Sequence, residues 1–274
     1  MTGYFKNLKA VVFDWAGTTI DHGCMAPAIV FQEIFRQRGV SITSAQAREP
    51  MGMAKRAHIA AIAAMPSVAE AWRSTFSRPC TDTDIDAMYA DFLPLQKQTL
   101  SQHSTLIPGA ADAVAWCRQR GLKIGSSTGY TRELMEVVTA AAAKQGYEPD
   151  CVLCSEDAPE GRPAPWLLFE AAKRMNVYPL RYVVKVDDTP VGILAGRNAG
   201  CWTIGVTRTG NGVGMSAADL ATLSIEAIAS RCTTAAATLT SAGAHYIIES
   251  VADIRPVLQD IDTRLTNGHL PDSP

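Results

Sequence analysis

The sequence predicts an α/β protein with a doubly wound parallel sheet and a separate helical domain inserted near its start. Three observations predict this fold. A short apolar run, 10–13, leads directly into Asp14. The following stretch, to about Gln102, shows only helical patterns. From Pro108 onward, short apolar runs alternate with amphipathic helices, and this alternation is typical of right-handed crossovers in one parallel sheet.

The first strand carries the first candidate functional residue. Its apolar run is bounded by turn residues, as in a strand that is buried on both faces of a parallel sheet. In such sheets, ligands bind beyond the carboxyl ends of the strands. Asp14 therefore lies where chemistry is expected, although an Asp that merely begins a turn has the same local pattern.

The inserted stretch predicts five helices. The first, 25–39, has apolar residues at helical spacing, with Pro27 in its first turn and Gly39 at its end. Thr43 is the predicted N-cap of the second helix, and Pro94 is expected to kink the fifth. The remaining helices are predicted over 43–49, 53–65, 67–76 and 84–102.

The alternating part predicts five more strands, each followed by a helix. Thr131 is the expected N-cap of one of these helices. Strands are predicted over 122–129, 151–154, 182–188, 201–206 and 245–248, and helices over 108–120, 131–145, 165–175, 191–198, 216–242 and 251–265.

These patterns divide the chain into two domains. The core is discontinuous and comprises residues 1–22 and 101–266, while 23–100 form the helical domain. The end, 267–274, is predicted to be disordered.

Composition restricts the possible partners. The chain has 274 residues, 47% hydrophobic content and a net charge of -2. That charge argues against nucleic acid or an anionic membrane as partner, because both require a basic face. No apolar run reaches the roughly 18 residues of a membrane span, and the N-terminus lacks a signal-peptide pattern, so a cytoplasmic protein is expected.

The seven cysteines are interpreted as reduced thiols. Cys151 and Cys154, although spaced like a redox pair, are interpreted as buried small residues.

Reactive polar groups follow three of the predicted strands. They are Asp14, the hydroxyls of 126–128, and Asp187 with Asp188; a basic loop contributes Arg162. Carboxylates that converge at one edge repel each other unless a divalent cation lies between them, and oxygen ligands suit Mg²⁺. A metal, a hydroxyl and a cation together can surround a phosphoryl group, and an Asp there can form an aspartyl-phosphate.

These motifs resemble those of the haloacid dehalogenase superfamily of phosphotransferases. Asp14, in the run 13–19, resembles the first motif, and Thr128, in 127–129, the second. Arg162 stands where the third motif carries its cation, and Asp188, in 186–189, resembles the fourth. The resemblance implies a Rossmann-like core with a mobile helical cap that closes over the site.

Two departures narrow the choice within this superfamily. Most of its phosphatases carry a general-acid Asp two positions after the nucleophile, where this chain has Ala16, which cannot transfer a proton. The cap segment 50–58 contains Lys55, with His58 at i+3 on the same helix face. A partly desolvated lysine near Arg56 loses its proton more easily and can attack a carbonyl, whereas most lysines are simply solvated.

Together with the runs 23–24, 127–133 and 161–163, these departures resemble the phosphonatase family. The resemblance implies hydrolysis of the carbon–phosphorus bond of phosphonoacetaldehyde, within 2-aminoethylphosphonate degradation, through a Schiff base on Lys55 and an aspartyl-phosphate on Asp14. It further implies Mg²⁺ held by Asp14, Asp188 and the backbone carbonyl of Ala16. Thr128 and Arg162 would bind phosphoryl oxygens. His58, Met51, Cys24 and Tyr130 would shape the cap side of the pocket or move protons, with His58 as the candidate for proton transfer.

Several alternatives stay open from sequence. A phosphate-monoester phosphatase is disfavoured by Ala16 and Lys55, and a catalytically silent phosphate-binding protein by the complete motif set. Asp187 is interpreted as a neighbour of the site or a turn residue. Superfamily members often carry a further acidic residue where this chain has Gly192, which leaves the tightness of metal binding open. The resemblance also implies a homodimer through the cap, to which 25–35 would contribute unless these residues form the cap core.

Overall fold

The computed structural model describes residues 4–272. One sheet of six strands forms its centre, in the order β3-β2-β1-β4-β5-β6, and every neighbouring pair is parallel. The predicted doubly wound parallel sheet is confirmed. The strands are β1 Ala10–Phe13, β2 Lys123–Ser127, β3 Cys151–Leu153, β4 Val183–Asp187, β5 Trp202–Val206 and β6 Tyr246–Ile248.

Five helices, here called the helical block, stand between β1 and the rest of the sheet in chain order. In α1, most apolar side chains are buried within the block; Phe31, for example, stacks on Phe92 of α5, whereas Ile29 is 43% exposed. Pro94 lies inside α5, which continues as one helix to Leu100. The block consists of α1 Met25–Arg36, α2 Ser44–Arg48, α3 Lys55–Ala64, α4 Pro66–Phe76 and α5 Asp82–Leu100.

The remaining helices cover both faces of the sheet. Alternation along β1 sends Val11 and Phe13 into the core shared with α6, α7 and α12, and Ala10 and Val12 into the core shared with α8 and α9. These helices are α6 Ala110–Gln119, α7 Arg132–Ala143, α8 Trp166–Met175, α9 Pro190–Asn198, α10 Ala217–Leu220, α11 Ile225–Ser241 and α12 Ile254–Thr266.

Side-chain caps fix several helix starts. The hydroxyls of Thr43 and Thr131 accept hydrogen bonds from backbone N–H groups of the first turn, so both predicted N-caps are confirmed. The prediction of one continuous helix over 216–242 is wrong. Two helices occupy that stretch, because Ser224 caps a new helix by accepting from the N–H of Ala227.

The C-terminal residues lie against the core as far as Asp272. The carbonyl of Pro271 accepts a hydrogen bond from Arg197 at 2.7 Å and lies 2.6 Å from Nε2 of His245. Asp272 pairs with Arg197 at 3.3 Å. These contacts do not fit the expected disorder of 267–272, because buried and hydrogen-bonded groups hold the segment; residues 273 and 274 lie outside the described part.

No helix within 4–272 combines the length and the apolar character that crossing a membrane requires.

One carboxylate on α12 fixes the segment that enters β1. Oδ1 of Asp262 accepts from the backbone N–H groups of Asn7 at 2.7 Å and Leu8 at 2.9 Å, and Oδ2 accepts from that of Lys6 at 3.0 Å. Three donors that precede the central strand thus depend on one side chain.

We expect Asp262→Ala to lower the free energy of unfolding by about 1–3 kcal/mol, since it leaves partly buried N–H groups without their acceptor. Urea unfolding followed by circular dichroism measures this. Glu136→Ala, at an exposed position of α7, is the control and should change little. An unchanged midpoint for Asp262→Ala would show that water replaces the carboxylate without cost.

Candidate active site

The parallel register brings the polar ends of three strands to one edge. Phe13 is level with Ser126 of β2 and with Val186 of β4. The residues that follow, Asp14, Ser127 and Asp187, therefore leave the sheet side by side. This is the convergence that the sequence predicts for the carboxyl ends of β1, β2 and β4.

Three buried carboxylates form the centre of this edge. Asp14, Asp187 and Asp188 are at most 5% exposed, and each offers an oxygen that lies within 4.8 Å of the others. Burial, together with Asp187, raises the pKa of Asp14; burial and the carboxylate of Asp14 hold the pKa of Asp188 well above its usual range. Burial is the larger cause of both pKa shifts, and the neighbouring carboxylates add to it.

Two buried cations face these carboxylates. The guanidinium of Arg162 donates to Oδ1 of Asp14 at 2.7 Å, contacts Ser127, and places Nη1 3.2 Å from Oδ2 of Asp187. Nζ of Lys185 lies 2.9 Å from the same Asp187 oxygen and 3.1 Å from Oγ of Ser127. Burial raises the pKa of Asp187, but Lys185 and Arg162 outweigh it and leave that pKa below its usual value.

The donor set fits a hard divalent cation. Three carboxylates against two cations leave one buried negative charge uncompensated, and burying such a charge is costly. All the acidic donors are oxygens, which Mg²⁺ prefers. Asp14, Asp187 and Asp188 are the carboxylates that could hold the ion.

The sequence reasoning missed Lys185. It occupies the middle of β4, is fully buried, and stands in an otherwise apolar run. A lysine with no exposure in a strand interior is rare unless it is paired. Its position within an apolar run was the sequence feature that could have indicated a buried, paired lysine.

Lys55 brings a second chemical group to a small cavity beside Asp14. It is the first residue of α3 and is 4% exposed, with Nζ 4.6 Å from the ring centroid of Tyr130 and 5.5 Å from that of Phe31. Burial lowers the pKa of this amine to about 8. The predicted site residues that line the cavity are Asp14, Ala16, Cys24, Met51, Lys55, Thr128, Tyr130 and Arg162.

His58 does not line this cavity. It is fully buried behind Lys55, stacked on Phe31 at 3.7 Å between ring centroids, with Nε2 2.9 Å from the carbonyl of Ala47. Within residues 4–272, its Nδ1 has no hydrogen-bond partner. Burial, and then the charge of Lys55, holds its pKa well below 6.5, so the ring is neutral at neutral pH.

The other predicted cap-side residues are neutral groups. Burial raises the pKa of the Cys24 thiol and of the Tyr130 phenol well above their ordinary values. Oη of Tyr130 has no hydrogen-bond partner among the described residues. Thr128 accepts a hydrogen bond from the backbone N–H of Tyr130 at 3.1 Å, which fixes its hydroxyl beside the cavity.

Two contacts join the helical block to the edge that carries the carboxylates. A Cβ on Gly52, where φ is +93°, would lie 2.5 Å from Oγ1 of Thr189, so only glycine allows this approach. Arg48 donates to Oδ1 of Asn211 at 3.0 Å, and Nδ2 of Asn211 donates to the carbonyl of Arg48 at 3.1 Å. The N–H of Asn211 donates to Oδ2 of Asp188 at 2.7 Å. No sequence pattern predicts the pairing of Arg48 with Asn211.

Comparison with known proteins defines the class. The haloacid dehalogenase-like hydrolase family matches residues 8–200. The protein is therefore a hydrolase of the haloacid dehalogenase type.

Individual relatives indicate one family within this class. A phosphonoacetaldehyde hydrolase from Paraburkholderia phytofirmans is 46% identical over 97% of this chain and 100% of its own length. One from Nitratidesulfovibrio vulgaris is 46% identical, covering 98% and 96%. A solved structure of a phosphonoacetaldehyde hydrolase-like protein from Oleispira antarctica superposes with a TM-score of 0.96 at 39% identity, covering 98% of each chain. The chain belongs to the phosphonoacetaldehyde hydrolase family, as its motifs predict.

We expect Lys185→Met to destabilise the protein by about 3 kcal/mol or more, because it removes one partner of a buried pair and leaves excess negative charge. Urea unfolding measures the change. Lys173→Met is the matched control, since its pair with Glu170 leaves the lysine side chain 79% exposed, and its midpoint should stay within error of the parent. Equal effects of the two substitutions would contradict the charge balance described here.

Proposed function

We propose that this protein hydrolyses the carbon–phosphorus bond of phosphonoacetaldehyde to acetaldehyde and phosphate. One observation carries the proposal: the Asp14 carboxylate and the buried amine of Lys55 line the same cavity. A nucleophile for phosphorus and one for a carbonyl stand together there, which suits a substrate that has both groups. The names of the full-length relatives support the same reaction.

Lys55 acts first. A pKa of about 8 leaves part of the amine unprotonated near neutral pH. That free amine attacks the aldehyde carbon, water leaves, and a protonated imine forms on Nζ. The imine can accept an electron pair from the adjacent carbon, which is the carbon bonded to phosphorus.

Asp14 acts second. An oxygen of its carboxylate attacks phosphorus, and the electrons of the carbon–phosphorus bond move into the imine to give an enamine. A carbon leaving group of this kind needs no proton at that step, which agrees with Ala16 in place of a general acid. Water then hydrolyses the aspartyl-phosphate. The enamine gains a proton on carbon, and hydrolysis of the resulting imine releases acetaldehyde and restores Lys55.

The other site residues bind the metal ion and the phosphoryl group or enclose the cavity. Asp14, Asp188 and the carbonyl of Ala16 would hold Mg²⁺, which supplies positive charge that allows a carboxylate to approach an anionic phosphonate. Arg162 and Thr128 bind phosphoryl oxygens. Met51, Cys24 and Tyr130 enclose the cap side of the cavity. A role of His58 in proton transfer stays a prediction, and its place behind Lys55 supports a role in fixing that side chain.

We also propose that 23–100 move as a cap over a core of 1–22 and 101–266. Entry of substrate requires release of the close contacts at Gly52 and Arg48, and closure excludes water while the imine forms. A homodimer through the cap is part of this proposal. Ile29 is the exposed apolar residue of α1 that supports it.

The test incubates the protein with phosphonoacetaldehyde and Mg²⁺ and measures acetaldehyde and phosphate. A parallel sample is reduced with borohydride, and the adduct is mapped by mass spectrometry. We expect equal amounts of both products and an adduct on Lys55. Lys55→Arg should lose products and adduct, Asp14→Asn should keep the adduct and lose phosphate release, and Lys173→Arg should retain both. Phosphate release from ordinary esters, without acetaldehyde or adduct, would mean that the protein is a phosphatase.

The pH dependence of kcat/KM should rise through a pKa near 8. Only the unprotonated Lys55 amine attacks the carbonyl, so below pH 8 the value should fall about tenfold for each pH unit, and above pH 8 it should level. Steady-state assays from pH 6 to 9.5 measure this, and circular dichroism over the same range shows that folding is retained. A kcat/KM that still rises at pH 9.5 without levelling, as for an exposed lysine, would contradict the role of burial.

A further inference from the structure

Two connections join the helical block to the sheet, 14–24 before α1 and 101–109 after α5. They are paired with each other. An antiparallel bridge links Ile20 to Leu106, and backbone hydrogen bonds of 2.8 and 3.2 Å flank it on either side. Because both connections are held together here, a motion of the block relative to the sheet has its pivot at this point.

One carboxylate in the first connection holds both ends of the helical block. Oδ2 of Asp21 accepts from the N–H of Ala26, in the first turn of α1, at 2.9 Å. Its Oδ1 lies 3.2 Å from Nδ1 of His103, the third residue after the end of α5. The Asp21 side chain is only 1% exposed. The beginning and the end of the block therefore meet at a single buried side chain.

The contact between Asp21 and His103 is an ion pair. An ionised carboxylate only accepts hydrogen bonds, so Nδ1 of His103 carries the proton. The hydrogen bond to Asp21 raises the pKa of His103 above its ordinary value, although partial burial of the ring acts against it. Hydrogen bonds between charged groups are stronger than neutral ones, so this pair holds the two ends more firmly than a neutral contact would.

The backbone beside Asp21 adopts an unusual conformation. Asp21 and Cys24 have φ values of +51° and +52°, in the left-handed region that residues other than glycine rarely adopt. Cys24 is the N-cap residue of α1, but its side chain makes no capping hydrogen bond, and the Asp21 carboxylate supplies an acceptor in its place. Cys24 also lines the cavity that contains Asp14 and Lys55. Asp21 thus fixes one wall of that cavity.

We propose that Asp21 is a positioning residue, and that the Asp21–His103 pair is the fixed pivot of the cap motion. The pair holds both ends of the helical block while the contacts at Gly52 and Arg48 form and release. Fixed ends restrict the orientations of the block, and this restriction lowers the entropy that is lost when the cavity closes. The inference rests on the cap motion within the proposed function, whereas the reaction itself plays no part in it.

Alkylation of Cys24 measures how often the cavity opens. Its side chain is buried, and burial is the first cause that holds the pKa of this thiol well above its ordinary value, so the closed form reacts slowly. The protein is incubated with iodoacetamide, and labelled peptides are quantified over time by mass spectrometry. Cys117 and Cys201, fully buried in the cores beside the sheet, report global unfolding in the same sample.

Two variants remove the pair. Asp21→Asn keeps the size of the side chain and tolerates a left-handed backbone, and His103→Phe keeps the size of the ring. Each should raise the labelling rate of Cys24 about tenfold, because a hydrogen bond between charged groups is lost. The double variant should label no faster than the faster single variant, because both substitutions remove the same contact.

Asp91→Asn is the matched control. It removes an ion pair of 2.6 Å with Arg38 that lies within 25–100 and does not join the block to the sheet. Labelling of Cys24 in this variant should stay within about twofold of the parent rate, as expected for a partly exposed pair.

Three outcomes would overturn the proposal. The first is labelling of Cys24 at the parent rate in Asp21→Asn and His103→Phe. The second is an equal rise in the labelling of the two fully buried cysteines, which would limit the pair to a role in global stability. The third is a double variant in which the two effects multiply. None of these measurements uses phosphonoacetaldehyde, so failure of the proposed reaction is distinguished from failure of the pivot.

Hydrogen exchange in the parent protein tests the pivot without any substitution. The N–H of Ala26 should exchange as slowly as that of Val12 in β1, measured by NMR, because its Asp21 acceptor stays in place in open molecules. Exchange at Ala26 as fast as the cavity opening that Cys24 labelling reports would show that the contact breaks on opening, and it would overturn a fixed pivot.

Discussion

The structure depends on burying three carboxylates at one sheet edge, where two buried cations of the described residues pair with them. Asp14, Asp187 and Asp188 are held within 4.8 Å, and Arg162 and Lys185 are the buried cations paired with this group. Such an arrangement is electrostatically costly by itself, and it favours a site that receives additional positive charge. The three carboxylates lie at strand ends, and this position leaves them little freedom to move apart.

The helical block adds a different kind of constraint. At the sheet edge, carboxylates are paired with cations, whereas Lys55 is buried among aromatic rings. The amine lies beside the rings of Tyr130 and Phe31, and burial favours its neutral form. A carboxylate that lies among ionic groups and an amine whose neutral form burial favours thus line one cavity. Asp14 follows β1 and Lys55 begins α3, so neither the sheet nor the helical block alone contains both groups.

Much of the fold was predictable because its signals are local. The apolar run before Asp14 and the hydroxyl after β2 identify strand ends, and parallel topology then places them together. The depth of His58 was not predictable, because the i+3 spacing defines a helix face but not what packs on that face. The partners of Arg48 and Lys185 were equally hidden, since Asn211 and Ser127 are distant in sequence and meet them only in the folded chain. Contacts of Pro271 with Arg197 and His245 hold a terminus whose composition indicated disorder, for the same reason.

Asn211 contacts both the helical block and the carboxylate edge. Its side chain is paired with Arg48 of the helical block, while its backbone N–H holds a carboxylate oxygen of Asp188. In the cap motion proposed above, docking of the block and the geometry of that carboxylate are therefore linked equilibria. Thermodynamic reciprocity then applies: an ion that binds Asp188 more tightly when the block is docked must favour docking by the same factor. In the cap motion proposed above, an ion bound at the sheet edge would therefore also raise the fraction of molecules whose cavity is closed to water.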